Sequence, residues 1–476
     1  MAWKRPILMP PSYLTKTEIA HWPVPAPPPD GDFARPLKTA LDGHDLLVPG
    51  QTAGVHWAIG CVALEITQRC NLDCTLCYLS DQSEAVQDLP LEEVFRRIDA
   101  IHAHYGPGTN VQVTGGDPTL RNLDELARIV ARVAAKQMRP ALFTNGIRAT
   151  RPLLKRLKAA GLKDVAFHVD MTQERKGYES ETARNALREE YIARADGLEL
   201  HILFNTTVFD GNFADVPMLA QFFAARADKV HLASFQMQAD TGRGVLRARP
   251  DIITQQSVMR AISRGAGHRL GFDSPIVGHP DCNRYAGLLS SGGVTTPIFD
   301  DVALFAALFA AGAQQRFDRY SIAKSVWAGT KLLLGNLPLA GRALAYFLRK
   351  LWTLKWGLLK SGGRLHKLTF YIHNFMDEAQ LDKARCETCI FMTMTRDGPI
   401  SMCVHNAKRD SFILQDIQTG DGTWTPLKQT PSRQALKQLK GRRRAAFLEE
   451  KRALPPQHSH ARKHHEGDSN IAKSLV

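Results

Sequence analysis

Cysteine is scarce, eight residues in a chain of 476. That is too few for a disulfide framework, so thiols that cluster are expected to hold metal in a reducing compartment. Long uninterrupted apolar runs are missing too. The first residues, Met-Ala-Trp-Lys-Arg-Pro, show neither an apolar stretch nor a small-residue cleavage site, and the expectation is a protein of the cytoplasm. The apolar stretch from Leu332 to Leu348 is broken by Gly335, Pro338 and Arg342, which argues against a membrane span. Acidic residues are outnumbered, 47 Asp plus Glu against 61 Lys plus Arg, for a net charge of +14. Such an excess favours a polyanionic neighbour: nucleic acid, an anionic lipid surface or a phosphorylated substrate. Hydrophobic residues at 44% and charged residues at 23% are ordinary globular usage, which excludes a mostly disordered or fibrous chain.

Residues 1–55 carry closely spaced prolines that leave little room for helix and predict an extended arm. From Cys61, apolar runs alternate with helical stretches. Strands are expected at Val62–Ile66, Val111–Thr114, Ala141–Thr144, Val165–Val169, Leu198–Val208 and Val230–Met237. Helices are expected at Leu91–His104, Leu123–Gln137, 151–160, 181–195 and 215–226. Six strands alternating with helices imply a parallel sheet, either open and doubly wound or a barrel. The core is bounded at 56–285. Residues 286–365 predict a basic, amphipathic helical insertion, 366–425 a small cysteine-bearing extension, and 426–476 a basic tail without fixed structure. Within the insertion, 326–362 holds Lys331, Arg342, Arg349, Lys350, Lys355 and Lys360, three of the seven tryptophans (Trp327, Trp352, Trp356), and no acidic residue.

Directly after the first strand stands Cys70-Asn71-Leu72-Asp73-Cys74-Thr75-Leu76-Cys77-Tyr78. One loop can turn three such thiols toward one point. A structural zinc site closes with four ligands, so three imply either a distant fourth ligand or an iron–sulfur cluster with one open iron. The second strand ends in Thr114-Gly115-Gly116-Asp117-Pro118, where the glycines permit close backbone approach and the carboxylate can accept from an ammonium. Asn145 ends the third strand and Asp170 the fourth, while Asn205 and Gln236 stand on the fifth and sixth. A second thiol set is Cys386, Cys389 and Cys403, which Cys282 can complete; a zinc knuckle is the alternative use of these four. Cys61, on the first strand, reads as a small buried core residue.

Cys-x-x-x-Cys-x-x-Cys followed by an aromatic residue resembles the signature of the radical S-adenosylmethionine (radical SAM) enzymes. The resemblance implies a partial (βα)6 TIM-type barrel with Cys70, Cys74 and Cys77 holding a [4Fe–4S] cluster whose fourth iron binds SAM. It also implies reductive cleavage of SAM to a 5′-deoxyadenosyl radical that abstracts substrate hydrogen. Gly115, Gly116, Asp117 and Pro118 are similar to the family's Gly-Gly-Glu-Pro segment, with Asp for Glu. By the same similarity Tyr78, Asn145, Asp170 and Gln236 are candidates to surround SAM. The second thiol set resembles the auxiliary [4Fe–4S] sites of family members with cysteine-bearing extensions. With Phe370 to Asp377 leading into that set, the arrangement is similar to the tetraether-lipid synthase and pterin-methylase group, which forms radicals at unactivated carbons.

The implied reaction is hydrogen abstraction from a lipid for carbon–carbon coupling or methylation, at the inner face of the membrane. Electrons would come from a reducing protein such as flavodoxin or ferredoxin, and no specific nucleic acid is expected. Alternatives are a peptide maturase and, from another class, a zinc-stabilised nucleic-acid-binding module. Catalytic residues are not identified; Tyr178, Tyr285 and His373 are candidates only.

Overall fold

The computed structural model describes residues 11–83, 86–244, 252–318, 321–418 and 424–426. Two short helices precede the sheet, α1 (Lys16–His21) and α2 (Arg35–Gly43). They correct the expectation of a wholly extended arm. Thr15 and Glu18 close a capping box on α1, and Pro36 sits in the first turn of α2, where its missing N–H leaves no broken bond.

The alternation then runs β1 (Cys61–Thr67), α3 (Leu91–Tyr105), β2 (Asn110–Gly115), α4 (Leu123–Ala135), β3 (Arg139–Thr144), α5 (Arg151–Ala159), β4 (Asp164–His168), α6 (Glu181–Ala195), β5 (His201–Val208), α7 (Val216–Ala224) and β6 (Val230–Met237). Each strand pairs in parallel with the next. The period of two along β2 shows how the sheet sorts its side chains. Val111 and Val113 are fully buried in the main apolar core, whereas the alternate positions Asn110, Gln112 and Thr114 line cavities on the other face.

Beyond β6 come α8 (Gln255–Ala266), β7 (Asn283–Ser291), β8 (Val294–Pro297), α9 (Val302–Ala311), α10 (Ile322–Leu334), α11 (Leu337–Ser361), β9 (His366–Asn374), α12 (Lys383–Glu387), β10 (Phe391–Met394), β11 (Pro399–Ser401), α13 (Met402–Ala407) and α14 (Asp410–Ile413). The strand order is β11-β10-β1-β2-β3-β4-β5-β6-β9-β7-β8, a partial TIM-type barrel whose two margins come from the chain's later half. β9 lies parallel to β6, and β10 lies parallel to β1.

Two expected boundaries therefore move. Residue 285 falls inside β7, because 283–297 forms a hairpin rather than the start of a helical insertion. Its turn, Gly292-Gly293, has φ of +53° and +88°, a geometry that glycine adopts without penalty. The 366–425 segment is not a separate appendage either, since its strands widen the barrel sheet on both sides. These elements belong to one compact unit, Leu8–Ser432. The basic tail expected from 426 onward falls outside the described residues save for its first position.

Candidate active site

Cys70, Cys74 and Cys77 all line one cavity of about 220 Å³ at the carboxyl ends of the strands, where α/β barrels place their chemistry. Burial pushes the Cys70 thiol up to about 12, with Cys77 adding to it. Burial raises the Cys74 thiol well above its ordinary value too, and both neighbouring thiols reinforce the shift. Cys70 and Cys74 therefore need a cation beside them to ionise together. Among the described residues, no three His, Cys, Asp or Glu side chains converge closely enough to hold a single metal ion. Thiolates on different irons of one cluster need not converge on one point.

The glycine pair is fixed by close approach. A Cβ on Gly115 would lie 2.0 Å from the Thr67 carbonyl oxygen, and one on Gly116 2.0 Å from that of Arg69. Both glycines therefore form cavity wall as bare backbone against the cysteine loop. Tyr78 donates its hydroxyl to the Gly115 carbonyl at 2.6 Å, tying the end of the loop to the end of β2. Asn145 bridges from β3, donating from Nδ2 to Asn71 Oδ1 at 2.6 Å, and lies 3.9 Å from the Cys70 sulfur. Gln236 is also on the wall. These residues, with the donor set of three thiols, fit a [4Fe–4S] cluster and SAM.

Asp117, Pro118 and Asp170 do not stand where the resemblance put them. None lines the cavity. The Asp117 carboxylate is fully buried and already accepts from the Thr119 N–H and hydroxyl, from Thr144 Oγ1 at 2.8 Å and from the Asn145 N–H at 2.9 Å. Pro118 begins the short helical turn that follows. Asp170 repeats the device: it accepts from the Thr172 N–H and hydroxyl and from the Thr207 N–H at 2.7 Å, and pairs with His168 Nε2 at 2.7 Å. Both carboxylates are staples between neighbouring strand ends, with no lone pair left for an ammonium. Asp-x-Thr in each, Asp117 to Thr119 and Asp170 to Thr172, was the available sequence signal. Burial opposes the charge on His168, but Asp170 outweighs it and raises the imidazole pKa. That places a protonatable ring on the cavity wall.

The four thiols of the second set are electrostatic neighbours. Burial pushes Cys282 up to about 11 and Cys386 up to about 12, with Cys389 contributing to both. Cys403 is raised well above its ordinary value by burial, then by Cys389, Cys282 and Cys386. Arg385 Nε donates to the Cys282 sulfur at 3.1 Å. Cys403 lies on the wall of the three-thiol cavity and of a small cavity shared with Cys282 and Cys389. The sequence reading missed Arg409, whose guanidinium reaches from the chain's later part to the Tyr78 carbonyl at 3.0 Å and Glu65 Oε2 at 2.7 Å. Of the three catalytic candidates, Tyr285 and His373 line a second, larger chamber, whereas Tyr178 packs against the main core. Cys61 is buried as expected and accepts from Gln112 Nε2 at 2.9 Å on that chamber's wall.

Known proteins are similar to part of this chain. A model described as the radical SAM superfamily matches residues 64–222. Among curated relatives, the 7,8-dihydro-6-hydroxymethylpterin dimethyltransferase of Methanocaldococcus jannaschii is 29% identical over 187 residues, 38% of this chain and 36% of that protein. The Fe-coproporphyrin III synthase of Methanosarcina barkeri is 28% identical over 201 residues, 41% of this chain and 48% of that protein. The alignments thus span between a third and a half of these relatives' length. Among solved structures, Streptococcus suis SuiB aligns with a TM-score of 0.35 at 13% identity, over 48% of this chain and 49% of that one. With the family model running through the cysteine loop and the strands that wall its cavity, residues 64–222 form a radical SAM domain, of a superfamily whose cofactors are a [4Fe–4S] cluster and S-adenosylmethionine.

Proposed function

We propose that the protein abstracts a hydrogen atom from an unactivated carbon of a lipid alkyl chain, leading to carbon–carbon bond formation or methylation. A second chamber carries this reading. It measures about 690 Å³, within the range of small-molecule sites. It shares Gln112, Phe143, Asn205, Gln236, Phe375 and Met402 with the cofactor cavity. Among the described residues, no Asp, Glu, Lys or Arg lines it. Its two histidines are held neutral: burial lowers His56 and pushes His373 down to about 3. A triphosphate or a porphyrin carboxylate would need cations that this wall lacks, whereas hydrocarbon needs none.

When bound, the cluster and SAM supply the 5′-deoxyadenosyl radical. The chain's own part is positional. Gly115 and Gly116 bring backbone close to the cofactor, Asn145 fixes the cysteine loop, and the aromatic chamber wall excludes water from the reacting carbon. Anaerobic turnover with a phospholipid perdeuterated in its acyl chains should place deuterium in 5′-deoxyadenosine. Undeuterated product beside label taken up from a peptide would instead support a maturase.

Cys282, Cys386, Cys389 and Cys403 hold an auxiliary [4Fe–4S] cluster in this reading, and a flavodoxin or ferredoxin delivers electrons. Replacing all four with alanine should lower bound iron from about eight to about four per chain while SAM cleavage persists. Iron content equal to that of the unaltered protein would remove the auxiliary cluster from the scheme.

A further inference from the structure

The helices between β8 and β9 present an apolar surface that no other described part of the chain covers. On α11, Leu337, Leu344, Leu348, Trp352 and Leu359 recur at seven- and four-residue spacings and fall on one stripe. All are more than half exposed, Trp352 at 71% and Leu337 at 73%. The opposite face is pinned. Tyr346 donates its hydroxyl to the Ile298 carbonyl, Lys350 Nζ bonds Asp300 Oδ2 at 2.6 Å and Thr296 Oγ1 at 3.1 Å, and a Cβ on Gly357 would lie 1.9 Å from the Ser291 carbonyl oxygen. α11 cannot roll to hide its stripe. Lys350, counted with the surface cations in the sequence, is buried.

α10 adds exposed Val326, Trp327 and Leu334. α9, Val-Ala-Leu-Phe-Ala-Ala-Leu-Phe-Ala-Ala, has no polar side chain, yet only Leu304 is buried. A helix apolar on every side belongs in a core or in hydrocarbon. Charge narrows the occupant: residues 319–376 contain no Asp or Glu, while Lys331 stands over the Trp327 ring and Lys355 lies 3.4 Å from the Trp352 ring centroid. Tryptophan beside lysine whose stem lies along apolar surface suits the headgroup layer. No helix among the described residues is long and apolar enough to cross a membrane, so the contact is with the surface. The same helices turn Phe305, Leu308, Phe309, Gly329, Leu332 and Leu333 inward as chamber wall.

We propose that α9, α10 and α11 dock on an anionic phospholipid bilayer, and that an alkyl chain passes from it between α9 and α10 into the chamber. Only the second half rests on the alkyl-chain reading above. The test uses the full chain with phosphatidylcholine vesicles, with and without phosphatidylglycerol. Binding should be about tenfold stronger to the anionic vesicles and weaken with salt. Trp352→Glu with Trp356→Glu, both at exposed positions, should remove most of it without shifting the melting temperature. Acyl-brominated lipid should quench fluorescence that Trp352→Phe with Trp356→Phe no longer shows. Equal binding to both vesicles, or full binding by the double glutamate variant, overturns the docking surface; the latter would assign membrane affinity to the basic tail. For entry, a Cβ at Gly329 meets nothing within 4 Å, so Gly329→Trp projects bulk into open space. It should keep vesicle binding and lose deuterium transfer from membrane-embedded chains; retained transfer overturns the route. Vesicle binding needs no cofactor, so its absence leaves the alkyl-chain reading standing, and failed transfer in the unaltered protein leaves the docking surface standing.

Discussion

Cys74→Ala, reconstituted anaerobically with iron and sulfide, should lose about half of the bound iron and release no 5′-deoxyadenosine above background. Its melting temperature should stay near that of the unaltered protein, because the cysteine loop lies outside the main apolar core. Cys70→Ala and Cys77→Ala should behave alike. Cys61→Ala should not change SAM cleavage, since that thiol sits on β1 away from the three-thiol cavity. A pH dependence follows from the same burial. Cys70 and Cys74 have raised pKa values, so without a cluster they are protonated near neutrality and must shed protons to ligate iron. Cluster loading should therefore become more favourable as pH rises. Iron counting and product chromatography on the single variants check the set. Equal 5′-deoxyadenosine yields from Cys74→Ala and unaltered protein would refute the ligand assignment.

Arg409→Ala should destabilise the fold by about 3–5 kcal/mol, because it strands a buried carboxylate. Glu65 lies on β1 with its side chain 7% exposed, against 1% for Arg409. Burial alone would raise the Glu65 pKa, but Arg409 and then His405 bring it down to about 2. His405, pushed down to about 3 by burial, is itself neutral at pH 7, so Arg409 carries the pairing. The sign follows from the depressed value. In the unaltered protein the pair's contribution is complete above the ordinary carboxylate pKa near 4.5 and is lost as pH falls through about 2. In Arg409→Ala the carboxyl takes up a proton more readily, so the stability gap to the unaltered protein should shrink on acidification. Denaturant melts of Arg409→Ala and of Glu65→Gln with Arg409→Met at two pH values test this. The double variant should recover most of the loss, since no lone buried charge remains. A gap that does not change with pH would count against the pairing.

The six core strands and their intervening helices were legible because each strand is a short apolar run punctuated by turn residues, and each helix repeats its apolar face locally. The cysteine loop was legible for a similar reason: three ligands within eight residues need no tertiary knowledge. What escaped depends on partners distant in sequence. Nothing local in Phe391–Met394 says that it lies beside β1, and nothing in His366–Asn374 says that it follows β6 in the sheet. Gly292-Gly293 between two extended runs was a hairpin signal overridden by the helical texture beyond it. Asp117 and Asp170 were misassigned because a carboxylate at a strand end looks the same whether it faces a ligand or a threonine two residues on. Lys350 looked like its exposed neighbours until Asp300 was placed beneath it.

The seam between β1 and β10 bears on how the protein is made. A nascent chain completes residues 64–222 well before 391–394 exist, so the strand leading into the cysteine loop keeps a bare hydrogen-bonding margin through much of synthesis. During that interval the loop lacks β10 and Arg409, which in the folded chain lie beside β1 and Tyr78. A fragment trimmed to the shared family segment would keep that margin permanently, and with it a tendency to self-associate.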